Sequence, residues 1–184
     1  KQLGLLPAEA KLPPRDPRLP AWDSLSADQK KVYARFMEAY AAFFEQTDYE
    51  IGRVVEHLRK NGQLDNTAIF AILGDNGASK EGGPNGAIGR ELSGSVVIDN
   101  VRYIGRRSED DATQIATRKA KLDEVGTGKV YANYPIGWAQ ATNTPFRSWK
   151  ADANSEGGSR NPLIVHWPNG IKAKGEVRTQ DGHL

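Results

Sequence analysis

Apolar residues recur at spacings of three and four from Tyr33 to Leu58, through Phe36, Met37, Tyr40, Phe43, Phe44, Ile51, Val54 and Val55, with Thr47 in register. That period puts them on one face of an α-helix. Ser26 and Gln29 form a capping box at its start, each side chain bonding the other residue's free backbone N–H. Asn61-Gly62 supplies the stop. The helix predicted from Ser26 to Lys60 is about 50 Å long at about 1.5 Å per residue, with Gly52 as a point of bending. Its aromatic stripe reads as core packing rather than a ligand site. His57 lies beside Arg59 and Lys60 near the helix end, where a cation suits the dipole, and is given no catalytic role.

The period then changes. Thr67 to Leu73 is a continuous apolar run with β-branched residues. It fits a strand buried on both faces, as in a parallel sheet. A second candidate, Leu163-Ile164-Val165-His166-Trp167, is turned by Pro168-Asn169-Gly170, and His166 in it reads as a packed histidine. Between them, Ala78 to Asn100 is rich in Gly and Ser and reads as a long loop with one short strand at Val96 to Ile98. Ordered loops of that length tend to be functional. Ser108 as N-cap, acidic Glu109, Asp110 and Asp111 in the first turn, and Gly126 as the stop predict a second helix from Ser108 to Val125. Its sparse apolar side is Ile115, Leu122 and Val125, and Tyr131 to Lys150 follows as an irregular aromatic segment. Pro7, Pro13, Pro14, Pro17 and Pro20 forbid a continuous helix over residues 1–22, which read as an extended lead. Residues 23–184 read as an α/β part, since a helix followed by a buried strand is half of a βαβ unit.

A length of 184 residues suits one domain with a hydrophobic core. The formal net charge of +2 argues against a strongly basic nucleic-acid surface. No apolar run approaches the roughly 18 residues of a membrane span. With no cysteine, disulfides, zinc–thiolate sites and thiol nucleophiles are excluded within the chain. Lys1 to Arg18 is rich in Pro and charge and has no apolar signal segment, which leaves the compartment open. Neither end carries an obvious terminal element, so the chain reads as a fragment.

Three stretches hold candidate chemistry. Asp75 and Asn76 follow the first predicted strand, and ligands in open α/β sheets sit beyond the carboxyl ends of strands. A carboxylate and an amide oxygen are hard donors suited to Ca²⁺ or Mg²⁺, but two are too few for such an ion. From these residues alone, a simple Asp-Asn-Gly turn is the stronger reading. Lys150, with Arg147 three residues before it, could offer a point charge to an anion, although taken alone a solvated surface lysine is the better reading. In Glu156-Gly157-Gly158-Ser159-Arg160, the glycine pair allows close backbone approach or positive φ. Arg160 either pairs with a buried carboxylate or faces solvent.

Taken together, the three stretches resemble the sulfatase family. The resemblance is carried by Gly74-Asp75-Asn76-Gly77, by Asn143-Thr144-Pro145-Phe146-Arg147 leading to Lys150, and by Glu156 through Pro168. Tyr134-Pro135-Ile136-Gly137-Trp138-Ala139 and Leu19-Pro20-Ala21-Trp22-Asp23-Ser24-Leu25 resemble the bacterial arylsulfatase branch in particular. The resemblance implies a large mixed sheet between helices, related to alkaline phosphatase, and hydrolysis of a small-molecule sulfate ester to an alcohol and sulfate. It implies that Asp75 and Asn76 are ligands of one Ca²⁺ and that Lys150 touches the substrate sulfate. The nucleophile it implies is a formylglycine made from Cys or Ser in a Cys/Ser-x-Pro/Ala-x-Arg motif, and no serine here begins that pattern. The family's paired N-terminal metal-binding aspartates, and the lysine and histidines flanking its nucleophile, are also absent. All are expected upstream of Lys1, in a missing N-terminal part of the same domain. The family continues past a His-x-x-Asp segment, which here would begin at His183.

Two rivals stand beside this reading: a relative cleaving phosphonate or phosphate monoesters, and a non-catalytic sulfatase-like interaction protein. Under the leading one, these 184 residues alone do not turn over an aryl sulfate. Release of the phenol above that of a boiled control by the purified chain would contradict this.

Overall fold

The computed structural model describes residues 6–74, 76–88 and 111–178. The predicted first helix is present as α1, Ala27–Lys60, unbroken at Gly52. Both bonds of its capping box form, Gln29 N to Ser26 Oγ at 3.1 Å and Ser26 N to Gln29 Oε1 at 2.9 Å. Asn61 caps the other end, and Gly62 follows with φ 68°. Only the first half of α1 lies in the core, where Val32, Tyr33 and Phe36 are buried. Phe43, Phe44, Tyr49, Ile51 and Val54 stand exposed on the second half. The apolar stripe is therefore core packing for its first turns only. Periodicity marks a face that seeks cover, and the covering elements must come from elsewhere in the fold.

Helix α2, Asp111–Ala120, packs on α1 and is followed by a short 3-10 turn, Leu122–Glu124. It is shorter than the predicted Ser108 to Val125, of which residues 108–110 lie outside the described residues. The predicted strand at Val96 to Ile98 lies outside them too. A buried polar network joins α1, α2 and the segment before β2, Ala87–Ile88. Tyr33 donates to Asn85 Oδ1 at 2.6 Å, and Asn85 Nδ2 donates to Asp111 Oδ1 at 2.8 Å. Burial pushes the Tyr33 phenol up to about 12, and the nearby Asp111 charge adds to the effect. Arg118 is fully buried and donates to Gly86 O at 2.8 Å and Gln114 O at 3.0 Å. A buried guanidinium is tolerated only when its donors are satisfied.

The extended lead is tied down. Leu19 and Leu25 join Val32, Tyr33, Phe36, Tyr134 and Trp149 in the core. The Arg18 guanidinium lies 5.0 Å from the Trp149 ring centroid. The same guanidinium binds Asp16 at 2.6 Å and holds its carboxyl down at about 2. Trp22 packs on Trp138 with ring centroids 5.5 Å apart.

Two antiparallel ribbons complete the fold. β2 pairs with β3, Ala132–Asn133. β1, Ile69–Ile72, pairs with β4, Leu163–His166, in the register Ile72↔Leu163 to Ile69↔His166. The parallel neighbour expected for β1 is thus replaced by an antiparallel one. An apolar run specifies how much of a strand seeks burial, whereas direction follows from the path of the chain. Phe70 and Ile164 are each 56% exposed, and His166 is exposed rather than packed. Among the described residues no third strand flanks the pair. No described helix is long and apolar enough to cross a membrane.

The open ribbon and the outer half of α1 make a measurable prediction. Phe43, Phe44, Val54, Phe70, Ile72, Ile164 and Val165 expose more apolar side chain than a self-sufficient monomer ordinarily shows. The 184-residue chain is expected to bind an apolar dye and to self-associate in sedimentation. A monomer that unfolds cooperatively and binds no dye would contradict this.

Candidate functional site

The antiparallel pairing brings the first and third candidate stretches together. Leu73 N donates to Pro162 O at 3.2 Å and extends the ladder past β1. Gly74 has φ 85° and Gly77 φ 81°, values that favour glycine at both positions. Asn161 accepts a hydrogen bond from Gly77 N at 3.2 Å. Asn76 is exposed, and Asp75 lies outside the described residues.

The second stretch arrives at the end of α3, Ile136–Asn143. Asn143 Oδ1 accepts from Ala78 N at 3.0 Å, and its Nδ2 donates to Ser148 O at 2.9 Å and Gly157 O at 2.7 Å. One carboxamide thus ties the second and third stretches to Ala78, one residue past the first. Gly157 belongs to the single-turn helix α4, Glu156–Ser159, and its N–H donates to Arg147 O at 3.0 Å. A Cβ at Gly157 would overlap the carbonyl oxygens of Arg147 and Ser148, and one at Gly158 would overlap that of Asp152. The glycine pair therefore serves close backbone approach, not positive φ.

Lys150 sits inside this junction. Its N–H donates to Ala78 O at 3.0 Å, two residues beyond Asn76. Its Nζ lies 2.9 Å from Glu81 Oε1, with the lysine side chain 35% and the glutamate side chain 19% exposed. Ser79 Oγ donates to Glu81 Oε2 at 3.2 Å and accepts from Glu81 N at 3.2 Å, while Asn133 Nδ2 reaches the same hydroxyl at 3.4 Å. Ser148 and Ala151 bracket Trp149 and Lys150 with φ of 65° and 70°. For non-glycine residues such a backbone costs about 1–3 kcal/mol, and strain of this kind gathers at functional sites. Buried Trp149 anchors the loop between them.

Neither arginine joins Lys150. Arg147 is exposed. Arg160 pairs with exposed Glu156 at 3.0 Å and lies 5.4 Å from the Phe146 ring centroid. Sequence reasoning gave no role to Glu81, Asn143 or Asn161. Glu81 lies in a loop with no period to single it out, and the distances spanned by Asn143 and Asn161 are set only by the fold.

For a cation, Asn76 offers one hard oxygen donor of the type Ca²⁺ and Mg²⁺ accept. Among the described residues no group of three or more His, Asp or Glu side chains could hold a metal ion. Asn76 alone does not make a site, and further donors would have to come from Asp75 and from groups outside the described residues.

A family model described as Sulfatase matches residues 10–183, and all three converging stretches fall within it. The chain belongs to the sulfatase family. It is 33% identical over 176 residues to an uncharacterized sulfatase of Schizosaccharomyces pombe, covering 94% of this chain and 27% of that protein. It is 24% identical over 156 residues to an arylsulfatase of Klebsiella aerogenes, covering 85% of this chain and 28% of that enzyme. The sulfatase chain therefore spans little more than a quarter of the length of the curated relatives it matches. No solved structure matches it significantly. Sulfatases as a family typically bind a divalent metal. The mixture of helices with small antiparallel ribbons is consistent with an incomplete α/β sulfatase domain.

Asn143→Ala removes the partners of Ala78 N, Ser148 O and Gly157 O together. Each partly buried group left unpaired costs about 1 kcal/mol or more, so the expected loss is about 2–4 kcal/mol in urea denaturation. Faster amide exchange at Ala78 is expected with it. Unchanged stability and exchange would mean that the carboxamide does not hold the junction.

Proposed function

We propose that this sulfatase chain forms part of the calcium and sulfate site of an arylsulfatase that hydrolyses small aryl sulfate esters. The convergence around Asn143 supports the reading most directly, because Asn143 and the Lys150 N–H both bond Ala78, two residues beyond Asn76. The likeness to the Klebsiella aerogenes arylsulfatase adds to it.

In this reading Lys150 holds an oxygen of the sulfate group. An ammonium has three N–H donors and no acceptor. Glu81 takes one of them, and the other two are available to an anion. Fixing that charge in advance favours the transition state, in which negative charge moves onto the leaving and equatorial oxygens. The strained loop and buried Trp149 keep the lysine backbone from drifting as the charge moves. Asp75 and Asn76 contribute hard oxygen donors to Ca²⁺, which when bound supplies Lewis-acid stabilisation to the transferring group. The formylglycine nucleophile and the remaining ligands come from outside these 184 residues, since no Cys/Ser-x-Pro/Ala-x-Arg motif lies within them.

Two variants of the full-length protein separate these roles. Asp75→Asn keeps an oxygen donor and removes its charge, so calcium affinity and turnover are expected to fall together. Lys150→Ala is expected to lower turnover by about 10²-fold, the scale for losing one oxyanion donor, with calcium affinity largely intact. Normal calcium dependence in Asp75→Asn, or full activity in Lys150→Ala, would overturn the corresponding assignment.

A further inference from the structure

We propose that Glu81 sets the charge preference of the anion site, so that the site favours singly charged sulfate esters over doubly charged phosphate monoesters. The proposal rests on Lys150 as the sulfate-binding residue.

The geometry carries it. Glu81 lies 2.9 Å from Lys150 Nζ and is the less exposed partner of the pair. It is not a loose surface side chain. Ser79 bonds its second carboxylate oxygen and its own backbone N–H, and Asn133 reaches the Ser79 hydroxyl from β3. This bracing aims the carboxylate at the lysine. The lysine keeps two donors for an anion, yet the pair as a whole carries no net charge.

Sulfate and phosphate esters are both tetrahedral and present similar oxygens, so shape and hydrogen bonding separate them poorly. Their charge differs by one unit. An anion bonded to the free side of Lys150 would place its oxygen about 4.5–5 Å from the Glu81 carboxylate oxygen, since two charge-assisted hydrogen bonds leave an ammonium at the tetrahedral angle. At that distance one extra negative charge weakens binding by roughly 4-fold in a water-like dielectric and roughly 400-fold at an effective value near 20. An unpaired lysine would favour the doubly charged ester by similar physics. Glu81 offsets that preference.

The test uses binding, independent of turnover, in the full-length protein. Benzenesulfonate and fully ionised benzenephosphonate share a ring and a tetrahedral head and differ by one charge. Their affinities are measured by calorimetry. Glu81→Gln keeps an acceptor oxygen for Lys150 and removes the charge, and the sulfonate-to-phosphonate preference is expected to shift about tenfold toward the phosphonate. Glu81→Asp, which keeps the charge, is expected to retain the original preference. Ser79→Ala, which keeps every charge but releases the carboxylate, gives a smaller shift in the same direction and serves if Glu81→Gln fails to fold. An unchanged preference in both Glu81→Gln and Ser79→Ala, with Lys150→Ala still abolishing benzenesulfonate binding, would overturn the role of Glu81 alone. Benzenesulfonate binding that survives Lys150→Ala would overturn the anion site itself and this inference with it.

Discussion

The carboxamide of Asn143 bonds three backbone groups at once, on Ala78, Ser148 and Gly157. Those groups lie on the turn after β1, on the loop leading to Lys150 and on the single-turn helix before β4. The β1–β4 ribbon and the backbone bonds Lys150 N to Ala78 O and Gly157 N to Arg147 O also hold these segments, and the carboxamide ties all three together from one point. A carboxamide suits the task because it accepts and donates in one plane. The second asparagine, Asn161, pins the neighbouring Gly77. Gly157 and Gly158 make the arrangement possible, because a side chain at either would collide with the backbone opposite.

The polar network behind the junction is of a different kind. Tyr33, Asn85, Asp111, Gln114 and Arg118 are linked beneath the helices, and Asn85, Gln114 and Arg118 are buried. A polar network that is satisfied specifies one arrangement of α1 against α2, because every alternative packing leaves a donor or acceptor without a partner. The lead adds a further restraint through Arg18 and Trp149, one residue from Lys150. Local rigidity around the lysine thus comes from the core on one side and from the lead on the other.

The apolar faces follow the opposite logic. β1 and β4 pair with each other but leave Phe70, Ile72, Ile164 and Val165 uncovered, and α1 does the same beyond Tyr40. The pairing satisfies backbone hydrogen bonds along one edge of each strand without building a layer above or below the ribbon. This is why the strands read from sequence as fully buried and stand exposed here. The stretches this sulfatase matches make up only 27% and 28% of its relatives' lengths.

Sequence by itself determined the elements whose causes are local. The Ser26 capping box, the start and stop of α1, the two apolar strands and the resemblance carried by the Asp75, Lys150 and Gly157 stretches were all legible, since caps, periods and motifs are written in neighbouring residues. Tertiary structure alone decided the antiparallel direction of β1 against β4, the exposure of His166 and of the outer half of α1, and the pairing of Lys150 with Glu81. The bonds of Asn143 to residues 65 positions before it and 14 after it belong to the same class. Side-chain chemistry states what a residue is able to bond, but the partner is fixed only when the chain path brings distant segments within about 3 Å.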